Sequence, residues 1–146
     1  MYWLYHRYYA PCVDETNTSP SEFHVEMFVL ADYLIMNQLK RTAAEYFGAS
    51  ISKAWGDRSF WNAAKAVFNV EIRSVSKDLR QKILEVIGQH ASTLTDTRFC
   101  EELMDDCHDF AKDLAFFMMK RSVQVATSLQ QTPAKRHIRG RLGLLV

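Results

Sequence analysis

Proline punctuates this chain at only three places, Pro11, Pro20 and Pro133, and none lies between residues 21 and 132. Inside a helix proline costs about 3 kcal/mol, so a proline-free run of this length leaves helices free to extend. Glycine, the other breaker, occurs in that run only at Gly48, Gly56 and Gly88. The hairpin dipeptides Asn-Gly and Asp-Gly are absent throughout. The expected fold is all-α, with five to six helices.

Apolar spacing divides the run. Ser21 is expected to cap a first helix through Met36, with Val25, Phe28, Ala31 and Ile35 recurring at three- and four-residue intervals on its inner face. Asn37 suits the cap of the next, Leu39–Ser52, whose inner face carries Leu39, Ala43, Phe47 and Ile51. Trp55-Gly56-Asp57 breaks the chain, and Asp57 or Ser59 starts a helix with Phe60, Ala64, Val67 and Phe68 inside. After a connector at 71–75, Ser76 is expected to cap a helix from Lys77 to about Leu94, with Leu79, Ile83, Val86, Ile87 and His90 on one stripe. Asp96 caps a short helix, Phe99–Met104. The last helix starts near Asp105–Asp109 and runs to about Gln130, with Phe110, Leu114, Phe117, Met118 and Val125 facing inward.

Composition narrows the class. Of 146 residues, 48% are apolar and 24% charged, which suits a globular domain and excludes collagen-like or wholly disordered chains. Three cysteines, Cys12, Cys100 and Cys107, form no tight pair and argue against a disulfide framework, so a reducing compartment, cytoplasm or nucleus, is expected. The opening Met1–Arg7 carries aromatics where a signal peptide carries a charged start and an aliphatic run. The longest apolar run, Leu114–Met119, falls far short of a membrane span. Net charge is only +1, yet residues 132–146 hold four basic side chains and no acidic one. This places a boundary near residues 131–133, beyond which a basic, disordered tail is expected. Its Lys135, Arg136, Arg139 and Arg141 are the candidate contacts to nucleic acid or an acidic partner.

Catalytic and metal motifs are scarce. Cys100, Cys107 and His108 near Asp105, Asp106 and Asp109 are the best cluster, but Cys100 and Cys107 are seven apart and lack the paired spacing of a zinc site. They read as small apolar side chains beside an acidic helix start. His90 reads as a core or boundary histidine, because no partner constellation makes it a general base. Cys12 reads as a surface thiol with no basic neighbour to activate it. No glycine-rich phosphate loop or nucleophile motif is present, and neither an enzyme nor a cofactor is expected.

The stretch His24-Val-Glu-Met-Phe-Val-Leu-Ala-Asp32, followed by Leu39-Lys40 and Ala43, resembles the second half of a BTB/POZ domain. Met27, Phe28, Leu30, Ala31 and Asp32 occupy its first motif positions, and Leu39, Lys40 and Ala43 the later ones. Tyr33 and Leu34 stand where the family has lysine and tyrosine. Trp55 with Phe60–Phe68 is similar to the helical extension of fungal BTB proteins, and the helices up to residue 119 are similar to the pair that follows it. The resemblance implies a partial BTB-like helical segment at 1–52 and a helical extension at 53–131. Nothing here matches the strand-rich first half of the family, so a truncated form or fragment is expected, with Phe28 or Leu34 short of its sheet cover. The function implied is a non-catalytic protein–protein interaction module, an adaptor in ubiquitin-ligase or transcriptional assemblies. A cullin-type ligase as partner rests on the resemblance alone, and the half that recruits it is missing. The alternative is a small helical protein whose basic tail binds nucleic acid or an acidic partner.

Overall fold

The computed structural model describes residues 19–94 and 96–131, and these are helical: α1 (Pro20–Tyr33), α2 (Asn37–Lys53), α3 (Arg58–Phe68), α4 (Arg73–His90), α5 (Arg98–Asp106) and α6 (His108–Gln131), with a 3-10 turn at Ala91–Thr93. No strand occurs among the described residues. Met1–Tyr9, Cys12 and the tail from residue 132, including Lys135, Arg136, Arg139 and Arg141, lie outside them.

Helix α1 begins two residues earlier than expected. Pro20, with its fixed φ and no N–H to lose, takes the first helical position, so the cap falls to Ser19. The Ser19 hydroxyl accepts from the Glu22 N–H at 3.4 Å and the Glu22 carboxylate accepts from the Ser19 N–H at 3.3 Å, a reciprocal capping box. Ser21 is not a cap; it is buried, and its hydroxyl meets that of Ser50 on α2 at 2.7 Å.

The end of α1 is the least expected feature. The helix stops at Tyr33, and Ile35 turns left-handed at φ 55°. The Met36 N–H reaches the Ala31 carbonyl at 2.8 Å and the Ile35 N–H reaches Asp32 at 3.1 Å, the paired bonds of a Schellman closure. That position usually belongs to glycine, because a Cβ crowds the backbone there. Ile35 is therefore not a core residue: 82% of its surface lies in water. The closure reverses the chain so tightly that Met36 becomes the cap position of α2 and Asn37 its first residue.

Helix α2 buries Leu39, Ala43, Phe47 and Ile51 as its spacing predicts, and packs on α1, where Ala31, like Ala43, has no exposed surface. Gly56, at φ 84°, makes the turn into α3. Six of the eleven α3 residues are buried, Phe60, Trp61, Ala63, Ala64, Val67 and Phe68, so this helix runs through the centre. Trp55 packs edge-on to Phe60 and stacks on His90 with ring centroids 5.3 Å apart, which places His90 at the core boundary. Phe28, expected to lack cover, is buried within this core; Leu34 remains half exposed.

Helix α4 starts four residues before Lys77. Ser76 is not its cap but a buried helical residue that donates to the Arg73 carbonyl and accepts from Arg80. The helix ends at His90, and Thr93 closes the end by donating to the His90 carbonyl at 2.8 Å. Asp96 accepts from the N–H and the guanidinium of Arg98 at the start of α5, which holds its carboxyl down to about 2.

Helix α6 corrects the inward face expected of it. Phe110 and Leu114 are buried and Phe117 is half covered, but Met118 and Val125 are exposed. Met118 is turned about 100° round the helix from Phe117 and so off the side that meets α4, and for Val125 the reason is length. Helices α4 and α6 run alongside each other in the same direction, with Asp113 beside Arg80 and then Phe117 and Arg121 over Gly88. A Cβ on Gly88 would stand 2.7 Å from the Phe117 ring. Two residues later α4 ends, and α6 continues for ten more with no other described residue beneath it, about 15 Å of projecting helix.

Replacing Ile35 by glycine relieves about 1–2 kcal/mol of left-handed strain and returns part of it as unfolded-state entropy. Ile35→Gly is expected to raise the unfolding free energy by about 0.5–1 kcal/mol in a urea titration. A loss of stability would show that the exposed isoleucine side chain holds something in place.

Candidate functional site

Two features of the surface depart from what a closed helical domain requires, and both involve α6. The first is a cleft of about 1000 Å3 between α4 and α6. Its floor is built around Arg80, whose side chain is only 5% exposed. Burying a guanidinium is tolerable only when its donors are used and its charge is matched. Arg80 meets both demands. Its Nε donates to the Ser76 hydroxyl at 2.9 Å, Nη2 to the Phe68 carbonyl at the end of α3 at 3.5 Å, and Nη1 to Asp109 at 3.3 Å. Asp113 lies 3.7 Å away, and the guanidinium sits over the Phe68 ring, 4.7 Å from its centroid. Arg73 pairs with the same two carboxylates, donating to Asp113 and standing 3.9 Å from Asp109. The acids at the start of α6 are thus matched by α4 arginines.

The remaining cations on the cleft are not matched. Lys77, Lys120 and Arg121 line it and form no ion pair among the described residues, while Glu85, the other acid there, accepts from Gln81. Leu84, Phe116 and Phe117 supply apolar wall between them. The cleft therefore joins an apolar strip to a positively charged rim.

The second feature lies on the opposite side of α6. Met118, Met119, Val125 and Leu129 are 38%, 63%, 54% and 71% exposed. At 100° per residue they share one face with Ala115, Ser122 and Ala126. The charged and amide side chains Lys120, Arg121 and Gln124 point instead toward the body, across the cleft. The amphipathicity of the projecting helix is inverted, with its apolar side in water.

The residues of the sequence motif gather at the α1–α2 reversal. Asp32 and Lys40 form a 2.6 Å ion pair, and the Lys40 ammonium lies over the Phe28 ring at 5.1 Å. Phe28, Ala31, Leu39 and Ala43 are buried and Met27 packs against the core, whereas Leu30 is 46% exposed. With Tyr33, Leu34 and Ile35 it forms a further apolar patch at the end of α1.

Among the described residues no three His, Cys, Asp or Glu side chains converge to hold a metal ion. Cys100 and Cys107 are buried free thiols; burial pushes Cys100 up and keeps it protonated, and Cys107 donates to the Asn69 side chain at 3.5 Å. His24 is lowered by burial beneath Tyr46, on which it stacks. No described helix is long and apolar enough to cross a membrane. No family model, no curated protein and no solved structure matches this chain.

The sequence reading missed the cleft because Arg80 was placed on no apolar stripe. Its signal was local: a serine and an arginine at i and i+4, Ser76 and Arg80, followed in α6 by Asp109 and Asp113 with the same spacing. Truncating Arg80 to alanine strips the Phe68 carbonyl and Asp113 of a partner and is expected to cost about 3 kcal/mol in chemical denaturation. Arg80→Lys recovers only part, since an ammonium does not span four acceptors in a fixed plane. Full recovery by lysine would show that charge alone, not the fork geometry, seats the helix.

Proposed function

We propose that this chain is a non-catalytic protein–protein interaction module that presents the outer face of α6 to a protein partner. The observation that carries the reading is the inverted helix: among the described residues, Met119, Val125 and Leu129 lie more than half in water on the side away from the body. Side chains of this size, left together in water, form a patch of several hundred Å2, the kind that marks an association surface. Support for a non-catalytic role comes from Cys100, held as a thiol by burial, and from Asp109 and Asp113, engaged by arginines.

The BTB/POZ resemblance belongs to the same proposal. In its favour, the motif residues form one packed unit at the α1–α2 reversal, tied by Asp32 and Lys40. The exposed Leu30, Tyr33, Leu34 and Ile35 give the apolar surface that a strand-rich first half would cover. An adaptor role in ubiquitin-ligase or transcriptional assemblies, in cytoplasm or nucleus, follows from that resemblance.

A photoreactive amino acid at Val125, expressed in the cells that make the protein, tests the reading. Irradiation is expected to give discrete protein adducts that the same probe at Glu101, exposed on α5, does not. Equal labelling at the two positions would overturn it.

The basic rim of the cleft favours a second reading, an acidic protein segment bound along Lys77, Lys120 and Arg121. A fluorescent glutamate-rich helical peptide is then expected to bind, and to lose affinity steeply as salt rises and in Lys120→Glu. Tighter binding of a DNA duplex than of the peptide would assign the rim to nucleic acid instead.

A further inference from the structure

We infer that the outer face of α6 pairs antiparallel with the same face of a second copy of this chain, about a two-fold axis through Ser122. The inference rests on the interaction-module reading and names its partner.

Self-complementarity carries it. In an antiparallel pair centred on Ser122, each residue meets the one equally far on the other side of the centre. Leu129 then faces Ala115 of the second copy, Met118 faces Ala126, and Met119 faces Val125. Large side chains stand opposite small or short ones at each step, and alanine at the opposing sites lets helix axes approach to about 8–9 Å. The two serines meet at the centre. Each Ser122 hydroxyl already donates to the Met118 carbonyl of its own helix at 3.0 Å, so it enters a dry interface without a lost donor.

Charge permits the pairing as well. Residues 122–130 include no ionisable side chain, and the nearest cations, Lys120 and Arg121, are turned to the cleft. Like charges are therefore not brought together. A lipid surface fits less well, because an interfacial helix places lysine and arginine along its polar face. Beyond Arg121 that face carries Gln124, Thr127 and Ser128, and both hydroxyls are bonded to their own backbone. The area is adequate. The exposed parts of Met118, Met119, Val125 and Leu129, with the exposed Ala115, Ser122 and Ala126 between them, amount to roughly 500 Å2 per copy, so a pair removes on the order of 1,000 Å2, the size of a weak, concentration-dependent interface.

Light scattering coupled to size exclusion, on the full chain over a wide concentration range, tests this. The expected result is twice the monomer mass, returning to the monomer in Met119→Glu and Leu129→Glu with helical content unchanged. In a Cys12→Ser background, Ser122→Cys is expected to form an intermolecular disulfide under mild oxidation, and Gln124→Cys, on the cleft side, is not. A monomer at every concentration, or a dimer indifferent to both glutamates and cross-linking equally at 122 and 124, overturns the pairing. So does a monomer that floats with anionic phospholipid vesicles. If the chain is monomeric while Val125 still captures an unlike protein, self-pairing fails and the interaction reading stands.

Discussion

The buried guanidinium of Arg80 sets the geometry on which the rest of the molecule depends. It stands where α3 ends, α4 runs past and α6 begins, and it uses a partner from each: the Phe68 carbonyl, the Ser76 hydroxyl, and Asp109 with Asp113. An unpaired charge at that depth costs several kcal/mol, so the three helices are held to the one arrangement that satisfies it. Fixing the first turns of α6 against α4 also fixes the direction of everything after them. The side chains that follow on the body side, Phe117 and Arg121, come down on Gly88, which has no Cβ to hold them off. Once α4 stops at His90, the remainder of α6 has no choice but to project.

That dependence explains which parts of the structure were legible in the sequence. Apolar periodicity reports a face that is buried along its whole length, and it served well where a helix is flanked throughout: Leu39, Ala43, Phe47 and Ile51 in α2, and Phe60, Ala64, Val67 and Phe68 in α3 are all in the core. It failed where burial stops for a reason outside the helix. The stripe of α6 continues to Val125 after α4 has ended, and Met118, one residue round from Phe117, turns off the side that meets α4; nothing in the local pattern marks either limit. The helix ends failed for a different reason. Ser19 and Ser21 are equally good caps by type, and the choice between them rests on Pro20 taking the first helical position. At Ile35 the residue type points away from the conformation adopted, because packing the first two helices on each other requires a tight reversal at the residue that makes it. The candidate site was illegible for the same kind of reason as Arg80 itself: its parts are forty residues apart, and only the packing of α4 on α6 brings them into one cleft.

The motif that carries the BTB/POZ resemblance accounts for the α1–α2 pair in structural terms. Asp32 and Lys40 clamp the reversal, and Phe28, Ala31, Leu39 and Ala43 fill it. These roles would be needed by any protein that folds two helices back on each other this closely. The motif thus constrains the architecture of the pair, and of its residues Leu30, with Tyr33 and Leu34 beside it, is the one left in an exposed apolar patch, while the larger exposed apolar face is on α6.

The energetics of α6 separate what the fold needs from what it does not. Among the described residues, 122–131 are anchored through the turns before them alone, and an isolated helix of that length is marginal in water. Serine or glutamine at Met119, Val125 and Leu129 would hold the helix as well and remove the exposed apolar surface. Covering the outer face of α6, roughly 500 Å2, is worth on the order of 10 kcal/mol before the costs of association are subtracted, within the range of a typical domain's entire net stability. A helix end that projects, keeps its hydroxyls satisfied on its own backbone and points its methionines, valine and leucine away from the body is stabilised mainly by what it meets. Among the described residues nothing packs on the outer face beyond Arg121, which is why that face, and not the side turned to the body, is the one we propose meets a partner.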